Sequence, residues 1–435
     1  MSSSVANNPS IFNFKLLQSR LDFLSKIFLI CTAAMIPVSV GATNVFILMT
    51  VVLSLCAEQS WIKLRKSWDN PVVKASLLLF LVCAISVIYT ENSWSTAFHG
   101  LHKYAKLLYI PLLFPLFSEE KWRTRALNAF IIVMLITLTL SYMKYLGWIS
   151  IGKTPAPDTI FKNHIETSFF LAFFGFLFIH KIFEVQERKW LYISGFLLLA
   201  FNLFFINEGR TGYLIFITLM GLFAWQRFRW KGILTSLVIL PLLLFSIYSF
   251  SGIFKSQINI INSNLEKYEQ RELEGNSVGL RMEFAKNSFQ LIKQHPLLGY
   301  GVGAFHDEYT KNYGNPPGFL KGLGDPHNEY LMVITQTGVL GFVLLLLLFY
   351  TEWETSFYLN SLDKYFSQGF LIAMMVGCLC DSFLYLTATG HFFVYFSALF
   401  FAASPRHALF PFLNNFSRSH DTVGSRSFGE INDRK

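Results

Sequence analysis

The stretch DPHNEYLMVITQTGVLGFVLLLLLFY, residues 325–350, joins a polar cluster to a run that is apolar enough to lie in lipid. Similar apolar runs recur between residues 27 and 404, each near the roughly 20 residues that cross a bilayer as an α-helix. These runs predict an all-α polytopic membrane protein. Within it, His327 stands at the threshold of a span, where an ionisable side chain is costly unless it is paired or used.

The composition supports a membrane protein. Of the 435 residues, 53% are hydrophobic and only 14% are charged, and the mean hydropathy is +0.43. A soluble domain has about 25% charged residues. The sequence therefore excludes an ordinary soluble enzyme.

The apolar runs predict about twelve transmembrane helices. About nine lie in an N-terminal membrane region, residues 1–250, and about three in a C-terminal membrane region, residues 328–404. Residues 251–327 form one large loop between these regions, and residues 405–435 form a tail that we expect to be disordered. The predicted spans are 26–40, 43–57, 72–90, 104–118, 126–146, 165–182, 190–206, 212–226, 232–250, 328–351, 366–386 and 389–404.

Basic residues predict the orientation of these spans, because loops that stay in the cytoplasm carry an excess of Lys and Arg. Clusters at 15–26, 63–66, 121–125, 181–189 and 227–231, and the C-terminal tail, fall on one side. The short loops on the other side hold Lys103, Lys153, Lys162 and Arg210. Both termini are therefore predicted to be cytoplasmic, and loop 251–327 to be periplasmic. The net charge of +9 is explained by this asymmetry, so no nucleic-acid partner is expected.

The large loop carries a helical pattern. Met282, Ala285, Phe289 and Ile292 recur at helical spacing and Pro296 follows, which predicts an amphipathic helix lying over the outer membrane face. The tract GYGVG at 299–303 lacks the spacing of a dinucleotide fingerprint. Its glycines indicate a backbone that something approaches closely.

Four ionisable residues are predicted to meet at the outer edge of the bundle: Arg210, Arg281, His327 and Asp381. Asp381 is expected inside a span, about 7–8 Å from its outer end. Each residue also has an ordinary structural interpretation. Arg210 can be an interfacial anchor, Arg281 a solvated loop charge, His327 a helix-start residue capped by Asp325, and Asp381 a hydrogen-bonding residue between helices.

Three segments carry a family resemblance. RTGYL from Arg210, RMEFAKNSFQLIKQHPLLGYGVGAF from Arg281 and HNEYLMVITQTGVLG from His327 resemble the signature segments of the bacterial O-antigen ligase and polymerase superfamily. The third segment follows the ligase-type pattern of His, Asn, nine residues, Gly, two residues and Gly. Here these are His327, Asn328, Gly338 and Gly341.

The resemblance implies an inverting, metal-independent O-antigen ligase with the C-type integral-membrane glycosyltransferase fold. It would move O-antigen polysaccharide from undecaprenyl pyrophosphate to the lipid A core oligosaccharide in the bacterial inner membrane. Arg210 and Arg281 would hold the donor pyrophosphate and His327 would activate the acceptor hydroxyl. Asp381 corresponds less closely to a family acid in the penultimate span.

Residue chemistry agrees with these roles. Guanidinium groups meet phosphate oxygens with paired hydrogen bonds, and a neutral histidine can take a hydroxyl proton near pH 7. The short outer loops offer no pair of acids for a metal, since GATN at 41–44 has none and the loop at 90–103 has only Glu91. We therefore expect no metal and no cofactor. A paired-carboxylate glycosidase would need a second acid.

Alternatives remain open. Within the superfamily the chain can be an O-antigen polymerase or a ligase that glycosylates proteins. From another class it can be a secondary transporter, although its polar groups gather at one edge rather than at the midplane. The sequence also leaves open whether His99, His102, Lys103 and Lys106 bind donor phosphate or anchor a helix, and anchoring is the favoured interpretation.

Overall fold

The structure is a computed structural model that describes residues 9–57, 60–152, 154–314 and 324–404. The predicted disordered tail, 405–435, lies outside the described residues. Every regular element among the described residues is a helix, which confirms the all-α prediction.

Sixteen α-helices follow one another along the described chain. Two short 3₁₀ helices, Ala105–Leu108 and Phe114–Phe117, flank α6. The α-helices are α1 (Pro9–Met35), α2 (Val40–Leu55), α3 (Ser60–Ser67), α4 (Pro71–Tyr89), α5 (Trp94–Tyr104), α6 (Tyr109–Leu113), α7 (Glu120–Tyr145), α8 (His164–Glu184), α9 (Lys189–Phe205), α10 (Arg210–Phe250), α11 (Gly252–Glu269), α12 (Ser277–Gln294), α13 (Phe305–Tyr313), α14 (Glu329–Ser356), α15 (Ser361–Cys380) and α16 (Thr387–Phe401).

Five of the described helices, α4, α7, α8, α10 and α14, are long and apolar enough to cross a membrane. Helices α2, α9 and α16 are apolar but shorter. The chain therefore has the helices of a membrane protein, at positions that the apolar runs predicted. The number of twelve spans and the side on which the large loop lies stay predictions.

Helix α10 contains a break. Arg229 has φ 56 and ψ −140, which is not helical. A Cβ on Gly232 would overlap the carbonyl oxygen of Ala224, so the second half lies against the first. We call residues 210–228 α10a and residues 230–250 α10b. The two predicted spans 212–226 and 232–250 correspond to these halves.

The predicted span 104–118 is not one continuous helix. The chain passes there through a 3₁₀ helix, the five-residue α6 and a second 3₁₀ helix. Pro111 and Pro115 lie in this region. Because proline has no backbone N–H and its ring crowds the preceding turn, two prolines four residues apart prevent a regular α-helix. Helix α1 also differs from the prediction, since it begins at Pro9 rather than near residue 26.

The large loop is mostly helical. It contains α11, α12 and α13, where the sequence predicted one amphipathic helix. The predicted helix is confirmed as α12. The predicted apolar face is not the face that packs on the protein, and its contact with the membrane stays a prediction. Met282 is 40% exposed and Phe289 is 57% exposed, whereas Phe284 and Leu291 are buried. The buried face packs on α14 through Met332 and on α13 through Tyr309.

The centre of the bundle is aromatic. Rings of α7, α8 and α16 pack edge to face, with centroids 5.2 Å apart for Phe130 and Phe396 and for Phe169 and Phe392. Edge-to-face contacts of this kind add to the stabilisation from burial. This core fixes α8 and α16 beside the helix ends that carry the candidate site.

Candidate functional site

Two glycines beside Arg210 allow the start of α10 to pack closely against α8. Arg210 is the first residue of α10, and a Cβ on Gly209 or Gly212 would overlap Ser168 of α8. The absence of those Cβ atoms lets the start of α10 lie directly against the start of α8. The RTG segment therefore fixes where the Arg210 side chain leaves the bundle.

Arg210 reaches across to α12. Its Nη2 donates a hydrogen bond to Ser277 Oγ at 2.7 Å. Ser277 is the first residue of α12, whose cap Asn276 accepts a hydrogen bond from Gly279 N at 2.7 Å. Arg281 lies one turn further along the same helix. The charges of Arg210 and Arg281 are close enough to interact, so the structure brings the two predicted arginines together.

Arg281 also carries an unpaired donor. Its Nε is buried and has no hydrogen-bond partner in the described part of the chain. A buried guanidinium N–H without an acceptor is costly, and an anion at this position would supply one. The N-terminal end of α12, with its positive helix dipole, begins beside the same pair of arginines.

A break in α14 holds the large loop over the bundle. Gly338 has φ 65 and ψ −166, and a Cβ there would overlap the Leu297 carbonyl. The break frees backbone groups for the loop: Val339 N donates to Pro296 O at 2.9 Å and Gly301 N donates to Gln336 O at 2.8 Å. The loop that carries Arg281 is thereby fixed relative to the helix that follows His327.

The glycine tract at 299–303 also packs the large loop against the bundle. Gly299, Gly301 and Gly303 all have positive φ, and a Cβ on any of them would overlap backbone atoms of α4, α5 or α14. What approaches this tract closely is therefore the protein's own backbone.

His327 and Asp381 form a hydrogen-bonded pair. His327 Nδ1 lies 2.9 Å from Asp381 Oδ1. Because an ionised carboxylate can only accept, Nδ1 carries the proton and Nε2 is the nitrogen that can take one. The His327 side chain is 36% exposed and that of Asp381 is 7% exposed. The buried carboxylate of Asp381 therefore orients the imidazole of His327, which stays accessible to solvent or substrate.

The backbone at His327 is unusual. Its φ is 49, a left-handed conformation that costs a non-glycine residue about 1–3 kcal/mol. Asp325 Oδ1 accepts the His327 N–H at 2.9 Å and so supports the turn. The cap of α14 is Asn328, whose Oδ1 accepts from Leu331 N at 3.0 Å, rather than Asp325. His327 therefore lies just outside the helix.

The sequence predicted Asp381 inside a membrane-spanning helix, but the structure places it just beyond the end of α15. Helix α15 ends at Cys380, and Asp381 has the extended angles φ −160 and ψ 169. Its Oδ1 accepts the next backbone N–H, from Ser382, at 2.8 Å. This local hydrogen bond competes with continuation of the helix. The predicted span 366–386 is therefore too long at its outer end, and Asp381 opens a turn that faces His327.

The sequence did not reveal the role of Glu329. This fully buried carboxylate accepts hydrogen bonds from the backbone N–H groups of Leu384 and Tyr385 at 2.8 and 2.9 Å, and from the Tyr104 hydroxyl at 3.2 Å. Asn328 Nδ2 adds a bond to Leu379 O at 3.0 Å. These contacts fasten the start of α14 to the end of α15 and so set the distance between His327 and Asp381. An acid at the head of an apolar run is the sequence signal that could have found it.

Charges around His327 act in opposite directions. The hydrogen bond to the Asp381 carboxylate raises the pKa of His327 above its ordinary value, partial burial lowers it, and the charge of Arg281 also lowers it. The raising effect prevails. Asp381 thus makes His327 a stronger base, and the influence of Arg281 shows that this arginine lies near the imidazole.

Asp325, His327 and Asp381 offer ligand atoms that all lie within 4.8 Å of one another, a spacing that also suits a metal ion. The two facing carboxylate oxygens are already used. Asp325 Oδ1 accepts from His327 N and from Ser382 Oγ, and Asp381 Oδ1 accepts from Ser382 N and His327 Nδ1. Hydrogen bonding by itself accounts for the cluster, and the expectation that no metal is needed stays a prediction.

The basic residues of α5 and the following turn occupy different environments. Lys106 is buried and donates to the carbonyl oxygens of Tyr385 and Leu386 at 3.1 and 2.7 Å, so it anchors the turn that follows Asp381. Lys103 lies 5.8 Å from the centre of the Tyr385 ring. His99 and His102 are exposed. Anchoring therefore describes Lys106, and roles for the other three stay open.

Two comparisons with known proteins bear on this site. A Haemophilus influenzae protein (strain ATCC 51907 / DSM 11121 / KW20 / Rd), described as uncharacterized, is 23% identical over 320 residues, which cover 69% of this chain and 77% of that protein. A family model described as O-antigen ligase matches residues 195–346. The matched region contains Arg210, Arg281 and His327 together with the loop that joins them. Residues 195–346 are therefore similar to the O-antigen ligase family.

Proposed function

We propose that this protein is an O-antigen ligase. It transfers O-antigen polysaccharide from undecaprenyl pyrophosphate to a hydroxyl of the lipid A core oligosaccharide, with inversion at the anomeric carbon. The observation that carries the proposal is the convergence of two arginines with a histidine–aspartate pair at one end of the bundle. The family match to residues 195–346 supports it.

In the proposed reaction, Arg210 and Arg281 bind the donor pyrophosphate. Guanidinium groups stay charged at any working pH and present paired N–H donors to phosphate oxygens. The unpaired Nε of Arg281 gains an acceptor when the donor binds. As the bond between the sugar and the pyrophosphate breaks, negative charge grows on the leaving oxygen, and two fixed positive groups stabilise that charge.

His327 is the proposed base. The acceptor oxygen attacks the anomeric carbon from the side opposite the leaving group, its proton passes to His327 Nε2, and undecaprenyl pyrophosphate departs. One direct displacement inverts the configuration. Asp381 contacts the imidazole rather than the substrate, so it is a positioning residue that fixes the tautomer and stabilises the protonated ring.

The site is proposed to face the periplasm of the bacterial inner membrane, with both termini in the cytoplasm. The support is the distribution of Lys and Arg along the sequence. A reporter fused after Phe305 is expected to behave as periplasmic, and one fused at the C-terminus as cytoplasmic. The reverse pattern would contradict the proposed site, because it would place the site on the face away from the proposed donor and acceptor.

The function is tested with the purified chain in lipid nanodiscs, given undecaprenyl-pyrophosphate-linked glycan and rough lipopolysaccharide. We expect glycan on the lipid A core, and the same yield with a metal chelator present. Longer lipid-linked chains would instead indicate a polymerase, and glycan on an added acceptor protein would indicate a protein-glycosylating ligase. Absence of all three products from correctly inserted protein would overturn the proposal.

A further inference from the structure

An apolar groove lies between the two halves of α10, the helix that begins at Arg210. Its volume is about 560 Å³, and its walls are α10a, α10b and α15. Ile217, Gly221 and Trp225 line it from α10a, Leu237 and Leu240 line it from α10b, and Ile372 lines it from α15. The groove therefore lies along α10 and α15, the helices that have Arg210 and Asp381 at one end.

One wall descends directly from Arg210. Residues 210, 214, 217 and 221 follow the helical spacing that places side chains on one face. Leu214, the first residue below Arg210 on this face, is exposed. At 1.5 Å per residue, Ile217 lies about 10 Å and Trp225 about 22 Å along the helix from Arg210. The groove thus begins about 10 Å below Arg210 and extends about 12 Å further along α10a.

The second wall descends from Asp381. Residues 372, 376 and 379 share one face of α15, and Leu379 at the outer end of this face is exposed. Ile372 lies about 13 Å along the helix axis from Asp381. The apolar faces of α10a and α15 therefore start at the same cluster of polar residues and lead into the membrane together.

The groove offers almost no polar group to an occupant. The hydroxyls of Thr218 and Ser236 line it, but each donates to a carbonyl of its own helix, Thr218 to Leu214 O at 2.8 Å and Ser236 to Ile233 O at 2.8 Å. An occupant must therefore be apolar along its whole length, and its charged end must lie at Arg210.

We propose that this groove receives the polyprenyl chain of the lipid-linked donor. The inference rests on the proposed function, since it takes the pyrophosphate of the same donor to lie at Arg210 and Arg281. The polyprenyl chain is bonded directly to that pyrophosphate, so it must leave the arginines along an apolar path into the bilayer. The faces below Arg210 and Asp381 form such a path.

A second, larger apolar groove of about 690 Å³ lies on the other side of α10. It is lined by α8, α9 and residues such as Phe216 and Phe223 of α10a. On a helix these two residues point about 120–140° away from Arg210. A chain attached to the pyrophosphate would have to pass around α10a to reach this groove, so it is the less suitable of the two.

Gly221 provides the test. A Cβ at Gly221 would meet nothing within 4 Å, so Gly221→Phe places a ring in the groove without displacing other atoms at the backbone. The matched control is Val238→Phe, at a position on α10b that is 61% exposed and lines neither groove. Binding of undecaprenyl pyrophosphate and of inorganic pyrophosphate is measured for both variants and for Arg210→Ala, in nanodiscs.

We expect Gly221→Phe to weaken binding of undecaprenyl pyrophosphate about tenfold, because the ring displaces part of the chain from apolar contact. Binding of inorganic pyrophosphate should not change, and Val238→Phe should bind both probes normally. If Gly221→Phe binds undecaprenyl pyrophosphate like the wild type while Arg210→Ala does not, the groove assignment is wrong and the proposed function stands. If Arg210→Ala binds both probes normally, the proposed function itself fails.

A second measurement uses the unmodified chain. Undecaprenyl pyrophosphate with a photoreactive group in its polyprenyl chain should crosslink to Ile217, Leu237 and Ile372, which line the proposed groove and not the larger one. Crosslinks concentrated on Phe201 and Phe205, which line the larger groove, or spread evenly over all lipid-facing helices, would overturn the proposal. This outcome does not depend on how the Gly221→Phe variant folds.

Discussion

Replacing Asp381 by Asn tests how the acid acts on His327. Asp381 Oδ1 accepts two hydrogen bonds, from His327 Nδ1 at 2.9 Å and from Ser382 N at 2.8 Å. The amide oxygen of Asn can accept both bonds in the same place. The Ser382 N–H favours this orientation, because a side-chain NH₂ turned toward it would be repelled. The variant therefore keeps the tautomer of His327 and loses only the negative charge.

The expected loss follows from that geometry. A hydrogen bond to a charged group contributes about 1.5–3 kcal/mol and a neutral one about 0.5–1.5 kcal/mol. The difference is reduced here because the His327 side chain is 36% exposed and solvent screens the charge. The charge of Asp381 therefore contributes at most about 1.4 kcal/mol to the stabilisation of protonated His327. Its loss corresponds to a fall in the transfer rate of about tenfold. A variant that forced the wrong tautomer would lose about 10⁴-fold.

The pH dependence of transfer shows in which direction Asp381 changes the pKa of His327. Asp381 raises the pKa of His327, and the neutral imidazole is the active form of a base. Transfer should therefore fall as pH drops through the pKa of His327, and Asp381→Asn should move this acid limb to lower pH. The assay is single-turnover transfer measured across a pH series with saturating donor. An acid limb that stays in place in Asp381→Asn would refute the assignment of Asp381 as the group that tunes His327.

Three further outcomes are expected. Arg210→Lys and Arg281→Lys keep the charge but lose the paired N–H donors, so each should lower donor affinity at least about tenfold in a binding assay. Gly338→Ala should cost about 1–3 kcal/mol of unfolding free energy, seen as a lower Tm, because φ is 65 there and a Cβ would overlap Leu297. Glu329→Gln should cost about 1–3 kcal/mol and reduce transfer, because the N–H groups of Leu384 and Tyr385 lose a carboxylate acceptor and the Tyr104 hydroxyl must turn to accept from the new amide.

Each of these three predictions has an outcome that would contradict it. Normal affinity in both lysine variants would reduce the arginines to general positive charge. Gly221→Ala is the control for Gly338→Ala, since a Cβ at Gly221 meets open space, and equal Tm values for the two variants would show that the break in α14 is not required. Full transfer by Glu329→Gln would show that the contact between α14 and α15 does not position the His327–Asp381 pair.

The sequence predicted which candidate residues lie close together better than it predicted the contacts that hold them there. Arg210, Arg281 and His327 could be found because each stands in a short segment with fixed spacing, next to glycines that allow close packing. Glu329 was missed, although it directly follows the cap of α14. An acid at the head of an apolar run marks Glu329 as a candidate. Its partners are backbone N–H groups of Leu384 and Tyr385, more than fifty residues away, and no local pattern identifies them.

The buried face of α12 shows what periodicity leaves open. Met282 and Phe289 are apolar and correctly spaced, but so are Phe284 and Leu291, and the buried face also carries the polar Asn287. A pattern of apolar residues identifies a helix without saying which of two such faces meets the protein. The break in the predicted span 104–118 is a different kind of error, because Pro111 and Pro115 were visible in the sequence and argued against a continuous helix.

In the proposed mechanism, His327 removes the acceptor proton while the arginines hold the donor. This mechanism is tested by measuring donor affinity and single-turnover transfer on the same nanodisc preparations of the wild type, His327→Ala and Arg210→Ala. We expect His327→Ala to lose transfer by at least about 10²-fold and to keep donor affinity, whereas Arg210→Ala should lose donor affinity. Wild-type transfer by His327→Ala, or a loss of donor affinity as large as that of Arg210→Ala, would contradict the mechanism.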